Sequence, residues 1–176
     1  MLIHPHAARR FITGYKSLLL AIGHQIGVTS EDEGLAKLGI LRAHLYENPQ
    51  VLELAIAHLA ATGKALEPDL AHAMRTLRIA HWVYLRSTTT YALFIDQTSE
   101  NAYAVLALND TVASLVGKGS AIIQAGVCEF EGRYVFDGLV SQIIHLGAGY
   151  KRSYAAVYAA IKTRGAFHTQ CRLAHH

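Results

Sequence analysis

The stretch SAIIQAGVCEFEGRYVFDGLVSQIIHL, residues 120–146, decides how this chain is built. Glu131-Gly132 stands between two long apolar-rich runs, which is the local signal for a two-residue hairpin turn. If Phe130 and Arg133 close that turn, Glu129 falls opposite Tyr134, Val127 opposite Phe136, Gly126 opposite Asp137 and Ile123 opposite Val140. Side chains alternate between the faces of a strand, and cross-strand partners share a face. One face then carries Ile123, Ala125, Val127, Tyr134, Phe136 and Val140, an apolar layer expected to meet a core. The other mixes Gln124, Cys128, Arg133, Asp137 and Ser141 with Phe130, Val135 and Leu139, and is expected to meet a ligand, a partner or water. Gly126 and Gly138 in mid-strand mark either a sharp bend of the kind a small barrel needs or simply a coiled hairpin.

Upstream, helical periods come first. Ala8, Phe11, Ile12, Tyr15, Leu18, Leu19, Ile22 and Ile26 recur at helical spacing and predict a helix over 6–26. Ser30-Glu31-Asp32-Glu33 reads as a capping box for a second helix, with Leu35, Leu38, Leu41 and Leu45 as its buried stripe. Asn48-Pro49 separates it from a third, which Gly63 ends, and Pro68 opens a shorter fourth. Around Arg78 the period becomes strand-like. Strands are expected at 78–87, 91–97 and 101–108, and then a short helix, TVASLV, capped by Asn109 or Asp110. After the organising hairpin, Gly147-Ala148-Gly149 introduces a last helix lined by Tyr150, Tyr154, Val157, Tyr158 and Ile161.

These elements predict an α+β fold. Residues 1–77 form a helical layer of about four helices. It packs on a five-stranded antiparallel sheet or small barrel in β-β-β-α-β-β order within residues 78–165, closed by the C-terminal helix. Residues 166–176 read as a flexible tail. The element order resembles that of an oligonucleotide-binding barrel, without any family motif.

The composition, 52% hydrophobic and 16% charged, excludes a disordered chain. No apolar run approaches a bilayer span, so a soluble protein without membrane contact is expected. Arg9-Arg10 before Leu18-Leu19-Leu20 looks faintly like an export signal, but the apolar core is too short. The two cysteines, Cys128 and Cys171, make no disulfide framework, and a reducing cytoplasm is the expected setting. The net charge of +3 is unevenly placed: residues 1–74 hold six Lys/Arg against seven Asp/Glu, and residues 75–176 hold ten against six.

Several residues could carry chemistry. In HLGAGYKRS, residues 145–153, Gly147 and Gly149 precede a helix whose first turn carries Lys151, Arg152 and Ser153, which would suit an anion. A hinge between strand and helix is the competing reading. Arg75, Arg78, Arg86 and Arg133 lie among Trp82, Tyr84, Tyr91 and Tyr150, the mixture of cations and flat rings that single-stranded nucleic acid needs; Trp82 itself is expected to be buried. Asp137, Ser141 and His145 are spaced four apart on one strand, about 13 Å per step, too far for a catalytic triad. Asp137 is instead expected to pair with Arg133 or to tune a small polar pocket. His4, His6, His168, Cys171 and His175 have ligand-like spacing but sit near the termini, so no metal site and no cofactor is expected.

The leading expectation is a non-enzymatic binding module whose basic β half recognises a phosphate-bearing ligand, RNA first, through Arg86, Arg133, Asp137, Gly147, Gly149, Lys151, Arg152 and Ser153. One alternative is a structural or assembly protein acting as a homodimer through Phe11, Tyr15, the sheet face or the tyrosine helix. The other is a small-molecule enzyme with a polar pocket at Asp137.

Overall fold

The computed structural model describes residues 1–28 and 34–171; the capping box at 30–33 lies outside the described residues. The elements run α1 (Pro5–Gln25), α2 (Leu35–Glu47), α3 (Val51–Ala61), α4 (Pro68–Arg75), β1 (Arg78–Ser87), β2 (Ala92–Ile95) and β3 (Ala102–Leu106). Then come α5 (Val112–Val116), β4 (Ala121–Phe130), β5 (Arg133–His145), α6 (Ala148–Thr163) and β6 (Phe167–His168). The fold is α+β, with a helical N-terminal region, one mixed sheet and a C-terminal helix. No helix among the described residues is long and apolar enough to cross a membrane.

The organising hairpin is present. Glu131 and Gly132 have φ of 50° and 72°, as a type I′ turn demands, and Phe130 pairs with Arg133. The strands follow the expected register as far as Val127 opposite Phe136. There the register breaks: Ala125 faces Val140 and Ile123 faces Ile143, so the pairing of Ile123 with Val140 is corrected by three residues. The extra residues sit in a bulge whose centre, Gly138, has φ +85°. The Asp137 carboxylate takes the place of the lost ladder bonds, accepting the N–H groups of Gly126 (3.2 Å) and Leu139 (3.1 Å) through Oδ1. Gly126 is required here, because a Cβ on it would stand 2.7 Å from Asp137 Cγ.

The six strands lie in the order β2-β1-β4-β5-β3-β6, and β2 also pairs with β3. The ladders therefore run round a closed circuit, β1–β2–β3–β5–β4–β1. Strand directions cannot alternate all the way round a ring of five, so one neighbouring pair has to be parallel. It is β3 with β5, at Val105–Tyr134 and Leu106–Val135, and the expectation of a wholly antiparallel sheet is corrected on that account. The sixth strand comes from the region expected to be a flexible tail: Phe167 and His168 pair in parallel with Ala102 and Tyr103.

Three apolar clusters follow from this arrangement. Inside the ring, Trp82, Tyr84, Phe94, Tyr103, Ile123, Val127 and Phe136 pack together, closed below by Val112 and Val116 of α5. Trp82 is buried as expected, its indole N–H donating to Ala125 O at 3.0 Å. Thr111, rather than Asn109 or Asp110, caps α5 through its hydroxyl, which accepts Ser114 N–H. Outside β4 and β5, Cys128, Phe130, Val135 and Leu139 are covered by Phe11, Tyr15 and Leu18 of α1 and by Leu41, Leu45, Leu70 and Met74 of α2 and α4. The expectation that the mixed face of the hairpin meets a ligand, a partner or water is thereby corrected for Cys128, Phe130, Val135 and Asp137, which the helical layer buries, while Arg133 and Ser141 of that face remain exposed. The same packing also removes Phe11 and Tyr15 as surface residues. On the outside of β1–β3, α6 lays Val157, Tyr158 and Ile161 over Val83, Leu85, Leu93 and Ile95.

Candidate functional site

The residues singled out in the sequence fall in three places. Gly147 caps the start of α6; Gly149, Lys151, Arg152 and Ser153 lie exposed along its first turns, and Ser153 Oγ donates back to Gly149 O rather than outward. Arg86 meets the same helix two turns further on, its guanidinium 5.8 Å from the Tyr158 ring centroid. Arg133 sits beside the hairpin turn. Ala121 pairs with His145 and Phe130 with Arg133, so nine residue steps of β4, roughly 30 Å, separate Arg133 from the start of α6. Asp137 lies in neither place; it is buried beneath the helical layer. The eight residues do not form one surface.

A different group gathers at the end of the ring where the turn lies. Arg78 opens β1 with its side chain at the mouth, its guanidinium carbon 5.0 Å from the ring centroids of both Trp82 and Tyr103. Tyr103 packs edge-on against Tyr134 at 5.0 Å and lies 5.2 Å from His168. Trp82 and Tyr103 are buried, Tyr134 and His168 half-buried, and Arg78 and Arg133 exposed. Among the described residues the Arg78 guanidinium has no hydrogen-bond or ion-pair partner. Glu129 also reaches the mouth, where its charge adds to burial in raising the Tyr134 phenol above its ordinary value. Its carboxylate lies 3.7 Å from His72 Nε2. Glu131, on the turn itself, is held by Arg10, which forks to Glu67 and Asp69 as well. Arg78 and Trp82 were visible in the sequence, and Tyr134 through the hairpin register; Tyr103 joins them through the antiparallel β2–β3 pairing and His168 through the parallel pairing of β6 with β3.

The second constellation is buried. The Tyr15 hydroxyl donates to Asp137 Oδ2 at 3.1 Å, and Arg42 Nη1 of α2 lies 3.7 Å from the same oxygen. Arg42 Nη2 donates to Ser141 Oγ at 2.8 Å, and Ser141 in turn donates to Gln124 Oε1. Asp137 thus pairs with Arg42, not with Arg133. Burial pushes its carboxyl up to about 6, against the opposing pull of the Arg42 charge and the three hydrogen bonds it accepts. Burial and the neighbouring carboxylate push the Tyr15 phenol well above its ordinary value. Arg42 Nε and Nη1 are buried with no hydrogen-bond partner. Beside this network a cleft of about 230 Å³ opens between α1, the start of α2, the loop after β3, and the β5 bulge, with Tyr15 and Asp137 in its wall.

The catalytic grouping of Asp137, Ser141 and His145 is not assembled: Ser141 is engaged with Arg42 and Gln124, and His145 is exposed at the far end of β5. No group of three metal-ligating side chains occurs among the described residues; His168 is bonded to Asn101, and His175 lies outside them. Comparison with protein-family models, curated proteins and solved structures returned no match to this chain. The site's chemistry therefore rests on its own residues.

Proposed function

We propose that the protein is a non-enzymatic binding module for a phosphate-bearing ligand, single-stranded RNA first, and that the mouth of the strand ring is where the ligand seats. The observation that carries this reading is Arg78: an exposed guanidinium that has no ion-pair partner among the described residues and lies 5.0 Å from the ring centroids of both Trp82 and Tyr103. A guanidinium so placed offers both charge for a phosphate and a plane for a base. Half-buried Tyr134 and His168 supply further rings, and Arg133 a further cation. The ring of five strands in β-β-β-α-β-β order has the plan of oligonucleotide-binding barrels, which supports the reading only by analogy of fold. The strand face that such barrels commonly use is here covered by α6, so the turn end is the accessible part.

Fluorescence anisotropy with short mixed-sequence single-stranded RNA tests this. Two to four neutralised phosphates predict a slope of log K against log salt of about −1.4 to −2.8. Arg78→Ala should weaken binding about tenfold or more, the loss of one charge-assisted contact. Lys151→Ala together with Arg152→Ala, roughly 30 Å away along β4, should leave it nearly unchanged. Absent binding at low salt, or binding indifferent to salt, removes the proposal.

A second reading, self-association, is favoured by one observation. Ile143 and Ile144, on the last exposed stretch of β5, are 41% and 58% exposed. Light scattering at micromolar concentration decides it, and a strict monomer would count against it.

A further inference from the structure

The cleft beside the buried network has no part in the reading above. Its walls are mostly apolar, from Ile12 and Leu19 of α1, Leu38 of α2, Leu108 and Leu115; Lys16, Asn109 and Asp110 also line it, and Tyr15 and Asp137 meet within it at a hydrogen bond. A dry cavity of about 150 Å³ lined by such residues accepts a benzene ring, so about 230 Å³ holds a substituted one. The polar end decides what kind. The Tyr15 hydroxyl spends its proton on Asp137 and turns an unshared lone pair to any neighbour, so the guest must donate a hydrogen bond. The charges of the lining balance: Lys16 stands against Asp110, and Arg42, behind the wall, offsets Asp137 from 3.7 Å, so neither a carboxylate nor a cationic guest gains a net counter-charge. What remains is a neutral donor.

We propose that this cleft is a binding site for a neutral, ring-sized apolar molecule carrying one hydroxyl group, a phenol or a compact alicyclic alcohol. The ring fills the apolar walls, and the hydroxyl donates to Tyr15 Oη beside Asp137. Arg42 acts from behind as a positioning residue: it holds Asp137 ionised at neutral pH, and so keeps the Tyr15 proton directed away from the cleft.

Amide shifts of the ¹⁵N-labelled protein, titrated with 4-ethylphenol, ethylbenzene, 4-ethylbenzoate and 4-ethylbenzylammonium, test the proposal. The phenol should produce saturable shifts around Tyr15, Leu108 and Leu139. Ethylbenzene should bind about tenfold more weakly, the loss of one hydrogen bond, and the two charged probes more weakly still. Leu115→Trp, at a partly exposed wall position, should abolish the shifts while leaving the far-ultraviolet dichroism and any RNA binding at the mouth intact. Tyr15→Phe should bring the phenol down to the level of ethylbenzene. No saturable shift at millimolar phenol, equal binding of a charged probe, or undiminished binding to Leu115→Trp would each overturn the assignment. Should Tyr15→Phe not fold, the probe series on the native protein and the Leu115→Trp result still decide.

Discussion

Arg42→Met isolates the buried pair. In the native protein the Asp137 carboxyl sits at about 6, above its ordinary 3.8. A raised carboxyl means that the folded state binds the proton more tightly than the unfolded chain. Stability is therefore greatest below pH 3.8 and falls as pH rises to about 6, by about 3 kcal/mol for this group. Removing Arg42 takes away the cation that resists this shift, so in the variant the carboxyl rises further and stability keeps falling above pH 6. Breaking a buried pair costs about 3–5 kcal/mol when the remaining charge is ionised. Methionine also relieves two buried N–H groups without partners, Nε and Nη1, which returns about 1–2 kcal/mol. The expected net loss is about 2–3 kcal/mol at pH 8; at pH 5, where Asp137 is largely protonated in both proteins, only the returned term is left and the variant should be as stable as the native protein or up to about 1–2 kcal/mol more stable. Urea unfolding followed by Trp82, the single tryptophan and a core residue of the ring, reads both values. A loss of equal size at the two pH values, or a larger one at pH 5, would refute the reasoning.

Two further substitutions probe the frame. Gly126→Ala drives a methyl to 2.7 Å from Asp137 Cγ and 2.9 Å from Leu77 Cδ1, and should cost about 2 kcal/mol or more in thermal unfolding; Gly147→Ala meets open space and should cost less than about 0.5 kcal/mol. Phe167→Ala removes the ring that packs against Tyr91 and Tyr158, and should lower stability by about 2–3 kcal/mol and speed hydrogen exchange in α6, where a flexible tail would show neither effect.

The sequence was most legible where the physics is local. Alternation and the Glu131-Gly132 turn identified every residue of the inner layer, from Ile123 to Val140, because a hairpin's faces depend only on its turn and its period. The register beyond Phe136 was not legible in the same way. Gly138 announced a bulge, but its size depends on Asp137 replacing ladder bonds with its own side chain. The outer face was misread for a related reason. Its polar content suggested solvent, yet the cation that neutralises Asp137 is Arg42, almost a hundred positions away and next to the leucine stripe of α2, where no periodicity marks it. The mouth was partly visible: Arg78 and Trp82 share a strand face and Tyr134 lies on the hairpin's inner layer, but Tyr103 depends on the β2–β3 register and His168 on a parallel pairing of two residues. Phe167-His168 is too short to show a period at all.

The ring of strands has a weak seam. Four of its five joins are antiparallel, and the fifth is closed by only two parallel pairs between segments some thirty residues apart. Such a join forms late and yields early, since little hydrogen bonding offsets a long loop closure. Tyr103 and Tyr134 touch across it. Breathing of the seam would widen the gap between their rings without unfolding anything else, so a guest wedged there would act as a clasp, and its grip would show as slowed amide exchange along β3.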